Sequence, residues 1–267
     1  MKSDRPIGIF DSGLGGLTVV KEIIRVLPDE SIIYFGDTAR VPYGTKSKKT
    51  IKKFSLQNTR FLTKFKVKLI VIACNTSSSL ALNLLKRTFK IPITGVIEPG
   101  VKQALLKTKN ERVGVIGTRA TISSGVYQKA LTGYKSKVKV FALSCPLFVP
   151  LVEEGWLNKK ITKAIVYNYL EPLKSKKIDT LILACTHYSL IKSVIAGVMG
   201  PKVGLIDSAA SVASEVRRQL IEKGLRAGAS HGPKYQFFVS DEPRIFSKEG
   251  SKFLGRKIIN IKRVNNV

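Results

Sequence analysis

Two segments of the chain, residues 68–79 and 179–189, share a pattern that constrains the fold. In the first, KLIVIACNTSSS, the apolar run 69–73 is long enough for one buried strand and too short for an ordinary helix. Cys74 follows, and after it come three serines that can cap a helix beginning near Leu80. The pattern predicts a strand ending in a thiol beside a helix start, which is where parallel α/β sheets bind ligands. The positive end of the helix dipole favours a thiolate there.

The second segment, DTLILACTHYS, repeats the arrangement, with Cys185 and then His187 after the apolar run. The two cysteines are 111 residues apart (185 − 74). One cysteine at the end of a predicted strand is weak support for a site. Two cysteines in matching contexts suggest that two halves of the chain each contribute one thiol to a shared site.

Strand and helix patterns alternate along the rest of the chain, which predicts parallel sheets joined by right-handed crossovers. Further strands are predicted at residues 6–10, 31–36, 91–97, 112–117, 137–143, 202–207 and 235–239. Helices are predicted at residues 17–26, 48–65, 125–131, 158–174, 209–223 and 242–253, and polar turns at 38–45 and 118–124.

The pattern restarts near residue 98, after Glu98-Pro99-Gly100 ends a strand. We therefore expect an α/β fold of two similar domains, each with a mainly parallel sheet flanked by helices. The active site is expected in the cleft between them. Residues 1–97 plus 208–267 are expected to form the first domain and residues 98–207 the second, because the C-terminal segment supplies helices that the first half lacks.

Charge is the unusual feature of the composition, since 46 Lys and Arg against 18 Asp and Glu give a formal net charge of +28. Such a balance attracts nucleic acid without sequence specificity. The basic residues are spread along the chain, however, without interleaved aromatic residues or a named nucleic-acid motif. A solvated basic surface is therefore favoured, and nucleic-acid binding is kept as an alternative that is not expected.

The cysteine and histidine content bears on location and on metal binding. Three cysteines without a CxxC pair predict a cytoplasmic protein with reduced thiols, and the two scattered histidines do not complete a zinc site. No apolar run reaches the roughly 20 residues of a membrane helix. Cys145 is expected to be a buried structural thiol, and His231 a loop residue. The turn at 13–16 lacks the last glycine of a dinucleotide-binding loop.

Acidic, basic and hydroxyl side chains are predicted near both thiols. Asp11 and Asp37 end strands in the first half, and Glu153 and His187 lie in the second. A carboxylate or imidazole beside a thiol can accept and return its proton, as general acid–base catalysis requires. Carboxylate-binding hydroxyl and amide groups are predicted at the strand-to-helix turns, on Ser12, Asn75, Thr76, Thr118, Thr121 and Thr186. This set fits proton transfer at a carbon acid, where a base and an acid on opposite faces would invert a stereocentre.

Seven ordered motifs resemble those of the glutamate racemases, within the cofactor-independent aspartate/glutamate racemase family. They span residues 7 to about 213, whereas the tail after about Gly224 has no motif that we can place. The motifs are FDSGLGGLTV at 10–19, YFGDTARVPYG at 34–44, ACNTSS at 73–78, VIEPG at 96–100, GVIGTRATISS at 114–124, CPLFVPLVEEG at 145–155 and ACTHY at 184–188.

The resemblance implies a role for each matching residue. Cys185 would take the α-proton from L-glutamate, and Cys74 would deliver a proton to the other face. Asp11 would assist Cys74 and His187 would assist Cys185, with support from Asp37 and Glu153. Substrate contacts are implied for Asp11, Ser12, Pro42, Tyr43, Gly44, Asn75, Thr76, Thr118, Thr121, Thr186 and His187. The family also implies no cofactor, a cytoplasmic homodimer, and D-glutamate supplied to peptidoglycan synthesis.

Three alternatives to this function stay open on the sequence. A racemase for aspartate or another amino acid would differ in the pocket for the side chain. A nucleic-acid-binding role is motivated by the net charge. A thiol-redox role would require a disulfide between Cys74 and Cys185. For the favoured function, carbanion stabilisation requires excluded water, so we expect the two domains to close around the substrate.

Overall fold

The structure is a computed structural model that describes residues 3–228 and 232–265. His231 lies outside the described residues. Strands are formed by β1 Ile7–Asp11, β2 Ile32–Gly36, β3 Leu69–Ile72, β4 Ile93–Gly95, β5 Arg112–Gly117, β6 Lys139–Ser144, β7 Thr180–Ala184, β8 Gly204–Asp207, β9 Tyr235–Val239 and β10 Ile261–Arg263. Among the described residues, no helix is both long and apolar enough to cross a membrane.

Helices lie between most of these strands. They are α1 Leu17–Val26, α2 Lys48–Thr63, α3 Asn75–Thr88, α4 Ile97–Lys107, α5 Arg119–Ser123, α6 Val126–Tyr134, α7 Phe148–Glu153, α8 Lys160–Lys174, α9 Lys192–Met199, α10 Ser208–Glu222 and α11 Pro243–Leu254. Short 3-10 turns at Thr38–Arg40, Tyr43–Thr45 and Thr186–Ile191 complete the connections.

The first sheet has six parallel strands in the order β10-β9-β2-β1-β3-β4. Its inner strands β1, β2 and β3 are buried along their whole length, because helices cover both faces of the sheet. β9 pairs with β2, so the tail of the chain returns to this sheet after α10. The predicted domain boundaries stay a prediction. They assume that the tail of the chain returns to the first sheet, and β9 does pair with β2.

The second sheet has four parallel strands in the order β6-β5-β7-β8. β7 is buried throughout and carries Cys185 directly after its last residue. In the same way β3, in the first sheet, leads through Ala73 to Cys74. The predicted α/β architecture of mainly parallel sheets flanked by helices is confirmed.

Three local predictions are corrected by the structure. The strand predicted at 91–97 is shorter, at Ile93–Gly95, and α4, which was not predicted, begins at Ile97. Pro99 and Gly100 lie in its first turn, where a helix needs no backbone donor from proline. The polar turn predicted at 118–124 is wrong, since α5 occupies it with Thr118 as its N-cap. The helix expected near Leu80 begins earlier, at Asn75, so the serines after Cys74 lie inside its first two turns and none of them is the N-cap.

Candidate active site

The two strand-end cysteines meet at one small cavity. Cys74 and Cys185 come from different sheets, and their side chains are only 6% and 7% exposed. The space open to the centre of a water molecule is about 20 Å³, which holds little more than one water. The rest of the lining is formed by Ser12, Val41, Pro42, Tyr43, Asn75, Thr76, Thr118, Val149, Thr186 and His187. Each half of the chain therefore brings one thiol to a shared enclosed space.

Most of the residues that the sequence singled out lie in this wall, and the others lie directly behind it. Asp11, Asp37, Gly44, Thr121 and Glu153 are not among the lining residues. Each lies next to one that is, through a hydrogen bond or close packing. Two lining residues, Val41 and Val149, were not predicted from the sequence, because a valine in a loop or helix carries no chemical signal.

A chain of three side chains leads away from the second thiol. Nδ1 of His187 lies 3.9 Å from Sγ of Cys185, and Nε2 lies 3.1 Å from Oε1 of Glu153. Burial lowers the pKa of His187, but the hydrogen bonds and charges of Cys185 and Glu153 outweigh it and raise that pKa to about 10. The imidazole can therefore carry a positive charge and exchange a proton with Cys185.

The first thiol has a different electrostatic environment. Burial, followed by the negative charge of Asp11, raises the pKa of Cys74 to about 12, although the backbone amide of Ser77 lowers it. The expectation that the helix start favours a thiolate is therefore wrong for this structure. One helix-terminal amide cannot offset the loss of water around a buried thiol and a neighbouring carboxylate. Cys74 is held as the neutral thiol.

Asp11 lies at the end of β1 beside both thiol environments. Its Oδ2 accepts hydrogen bonds from the amides of Gly13 and Gly16, at 3.2 and 2.9 Å. Its Oδ1 has no hydrogen-bond partner within the described part of the chain. Burial raises the pKa of Asp11 and outweighs the lowering by the charge of His187 and by the amides. The carboxyl group therefore has one oxygen free to exchange a proton in the site.

Asp37 supports the wall of the cavity instead of facing it. Its carboxylate accepts hydrogen bonds from Nε of Arg40, the hydroxyl of Tyr43 and, at 3.0 Å, the hydroxyl of Ser240. Burial and the charge of Asp37 raise the pKa of Tyr43 well above its usual value, so the phenol stays protonated. Asn58 donates to the same phenol oxygen at 3.1 Å. This network fixes the ring of Tyr43 against the cavity.

Hydroxyl and amide groups join the two halves across the site. The hydroxyl of Thr76 in α3 lies 3.0 Å from that of Thr118 and 3.2 Å from that of Thr121. Thr118 and Thr121 belong to the second half of the molecule, which is the part that forms the second sheet. Oδ1 of Asn75 accepts a hydrogen bond of 2.6 Å from the hydroxyl of Tyr127 in α6. Tyr127 is buried and was not singled out from the sequence, because its partner is 52 residues away.

Two glycines allow the halves to approach this closely. A Cβ atom at Gly15 would lie 2.7 Å from Nδ1 of His187, and one at Gly44 would lie 2.6 Å from Cβ of Thr118. Neither distance leaves room for a side chain. The backbone of the first half thus packs directly on side chains of the second at two points around the cavity.

The remaining cysteine takes no part in the cavity. Cys145 is fully buried in the main hydrophobic core, as expected, and its carbonyl oxygen accepts a hydrogen bond of 2.8 Å from Tyr188. All three cysteines are free thiols in the structure. Within residues 3–228 and 232–265, no group of three or more His, Cys, Asp or Glu side chains is arranged to hold a metal ion.

Comparison with known proteins places this geometry in a family. Residues 7–216 match the Asp/Glu/Hydantoin racemase family. The chain is 48% identical over 261 residues to a glutamate racemase from Geobacter metallireducens, covering 98% of this chain and 97% of that protein. It is 46% identical over 265 residues to one from Chlorobaculum tepidum, covering 99% and 97%.

Solved structures agree over nearly the whole chain. A glutamate racemase isoform from Bacillus anthracis superposes with a TM-score of 0.94 at 39% identity, covering 97% of both chains. The glutamate racemase from Francisella tularensis in complex with D-glutamate gives 0.92 at 40% identity, covering 98% of both. With the family match spanning most of the sequence, the chain belongs to the Asp/Glu/Hydantoin racemase family.

Proposed function

We propose that the chain is a glutamate racemase that interconverts L- and D-glutamate by proton transfer at the α-carbon and supplies D-glutamate for peptidoglycan synthesis. One observation carries the proposal: two buried thiols, each from its own sheet, line a single enclosed cavity. A base and an acid from opposite halves of a molecule are what inversion of a stereocentre requires. The names of the most similar relatives support glutamate as the substrate.

The different environments of the thiols support a direction for each step. With L-glutamate bound, Cys185 as thiolate removes the α-proton while His187 holds the compensating positive charge, supported by Glu153. Cys74, kept as the thiol by its raised pKa of about 12, delivers a proton to the opposite face. For D-glutamate the roles exchange, and Asp11, with its free buried oxygen, takes up the proton that Cys74 must lose.

Polar groups of the residues that form the wall can bind the charged groups of glutamate. The hydroxyls of Ser12, Thr76, Thr118 and Thr186, together with the amides at the start of α3, can bind the two carboxylates. In this role Thr121 positions Thr76, and Asp37 positions Tyr43. These groups are fixed before the reaction, so they stabilise charge that develops at the α-carbon without reorganisation.

Substrate binding requires the halves to separate. The cavity holds little more than one water, and glutamate is several times larger. The close contacts at Gly15 and Gly44 are the places where the halves must part. We therefore propose opening to admit substrate and closure around it, which excludes water during proton transfer. Crystal structures with equal angles between the sheets, with and without glutamate, would contradict this motion.

The activity is tested by incubating the protein with L-glutamate in heavy water without added cofactor. We expect D-glutamate with deuterium at the α-carbon, detected by chiral chromatography and NMR. Cys74→Ala and Cys185→Ala should each abolish racemisation. Cys74→Ala should retain slow exchange of the α-proton of L-glutamate only, and Cys185→Ala that of D-glutamate only, since each keeps one base.

A matched control and a substrate panel complete the test. Cys145→Ala removes a thiol that does not line the cavity and should leave racemisation intact. Racemisation by both single variants at the rate of the unmodified protein would refute the two-thiol mechanism. Faster conversion of L-aspartate than of L-glutamate would reassign the substrate.

The family resemblance also motivates a cytoplasmic homodimer as part of this proposal. Light scattering on the purified protein tests the dimer, and cell fractionation tests the location. A monomer that racemises glutamate at full rate would remove the dimer and leave the chemistry unchanged. Binding to DNA at low salt, tested on the same sample, decides whether the basic surface has the alternative role that is not expected.

A further inference from the structure

A large basic groove lies outside the proposed active site. Its volume is about 730 Å³, in the range of pockets that hold organic ligands. Four cations line it: Lys46, Lys48, Lys52 and Arg87. No aspartate or glutamate occurs in this lining among the residues that the structure describes. The concentration of positive charge in a concave site raises the local concentration of anions.

Other groups in the groove fit a phosphate compound. Helix α2, of 16 residues, begins at Lys48, so the positive end of its dipole adds to the charge of the lysines, while Ser47 caps the amide of Thr50. Ser123 adds a hydroxyl group, whereas the hydroxyls of Ser79 and Ser124 donate to the backbone carbonyls of Asn75 and Thr121. Leu80, Leu84 and Ala120 form an apolar part of the wall. Four positive charges match the charge of a triphosphate, and the apolar wall has room for an attached group.

The groove spans the contact that must open for glutamate to bind. Its lysines follow the Tyr43–Thr45 turn and extend into α2, whereas Ala120 and its neighbours belong to α5. The same turn and the residue before α5 make the close contact of Gly44 with Thr118 at the cavity wall. A ligand that touches both sides of the groove therefore holds the halves in the arrangement of this structure, whose cavity is too small for glutamate.

We infer that the groove binds a triphosphate-bearing small molecule and that its occupation opposes substrate binding by holding the two halves closed. The coupling is reciprocal. A ligand that favours the closed, empty form lowers the affinity of the protein for glutamate, and glutamate lowers the affinity for that ligand by the same factor. The kinetic part of this inference rests on the proposed racemase activity. The binding part does not.

Inorganic triphosphate is the probe, with ATP as the second arm, in magnesium-free buffer of constant ionic strength. Triphosphate binding is measured by calorimetry with and without glutamate, and racemisation is measured in parallel. Triphosphate at ten times its Kd should raise KM about tenfold and leave kcat nearly unchanged. Glutamate should raise the Kd of triphosphate by a similar factor. Tighter binding of ATP would identify a nucleotide as the ligand, and equal binding would identify the triphosphate group alone.

A matched pair of variants separates the groove from general charge. Lys46→Gln/Lys52→Gln/Arg87→Gln removes three cations from the groove, and Lys160→Gln/Lys163→Gln/Lys202→Gln removes three exposed cations elsewhere. The first should lose triphosphate binding, and the second should retain it. Equal loss in both, absence of binding at millimolar triphosphate, or binding that leaves KM unchanged would overturn the inference. If the protein does not racemise glutamate, calorimetry still reports on the groove, so the two failures are distinguishable.

Discussion

Gly44→Ala tests whether the halves must return to close contact at this turn once glutamate has entered, as the proposed closure requires. The new Cβ atom would lie 2.6 Å from Cβ and 2.8 Å from Cγ2 of Thr118. Non-bonded carbon atoms pack at about 3.5–4.0 Å, so the turn and α5 must move apart by about 1 Å. A misplacement of about 1 Å costs on the order of 100-fold in rate, and we expect kcat to fall by about that factor.

The variant should lose activity without losing stability. Gly44 does not have a positive φ angle, so alanine brings no backbone strain, and the contact lies where the halves can separate. We expect the free energy of unfolding to change by about 1 kcal/mol or less. Steady-state racemisation gives kcat and KM, and urea unfolding followed by circular dichroism gives the stability.

Gly197→Ala is the matched control. Gly197 lies in α9, and a Cβ atom there would meet no other atom within 4 Å. Alanine is about 1 kcal/mol more favourable than glycine inside a helix, so this variant should be slightly stabilised and fully active. Unchanged kcat in Gly44→Ala, or a loss of stability large enough to explain the loss of activity, would refute the reasoning.

Three further predictions follow from buried groups. Lys68 and Glu30 form an ion pair with both side chains 1% exposed. Lys68→Met leaves the charge of Glu30 buried without its partner, so it should lower the free energy of unfolding by about 3–5 kcal/mol in urea titrations. Adding Glu30→Gln removes that charge and should restore part of the lost stability. Tyr127→Phe leaves the buried Oδ1 of Asn75 without its donor, so the free energy of unfolding should fall by about 1–3 kcal/mol in urea titrations and kcat/KM should fall about tenfold. The folded protein raises the pKa of His187 from 6.5 to about 10, so its contribution to stability is complete below pH 6.5 and is lost as the pH rises towards 10. His187→Gln should lack that step when unfolding is measured across this range.

Local sequence was sufficient for the elements that carry the thiols. The apolar runs before Cys74 and Cys185 are strands β3 and β7, and helix α1 has the predicted bounds. These segments are decided by their own side chains, because a short apolar run rich in β-branched residues is typical of a buried strand of a parallel sheet. The motifs around the strand ends were likewise enough to identify the family.

Other local features misled because position within an element mattered more than residue type. Proline and glycine at 99 and 100 were interpreted only as the end of a strand, yet both lie in the first turn of α4, which begins at Ile97. The helix start after Cys74 suggests a thiolate, yet burial raises the pKa of that thiol. Propensity and dipole act over one turn, whereas burial depends on every residue packed around the site.

The sequence alone determined the strand-and-helix alternation, the two thiols and the side chains that accompany them, because each depends on neighbours along the chain. Only the tertiary structure decided that Gly44 meets Thr118, that Asp37 supports Tyr43, that Tyr127 reaches Asn75, and that Arg87 and α5 join the lysines of residues 46–52 in one groove. These contacts join segments from opposite sides of the cavity or from different elements. Their geometry follows from how the two sheets pack, which no local pattern of residues encodes.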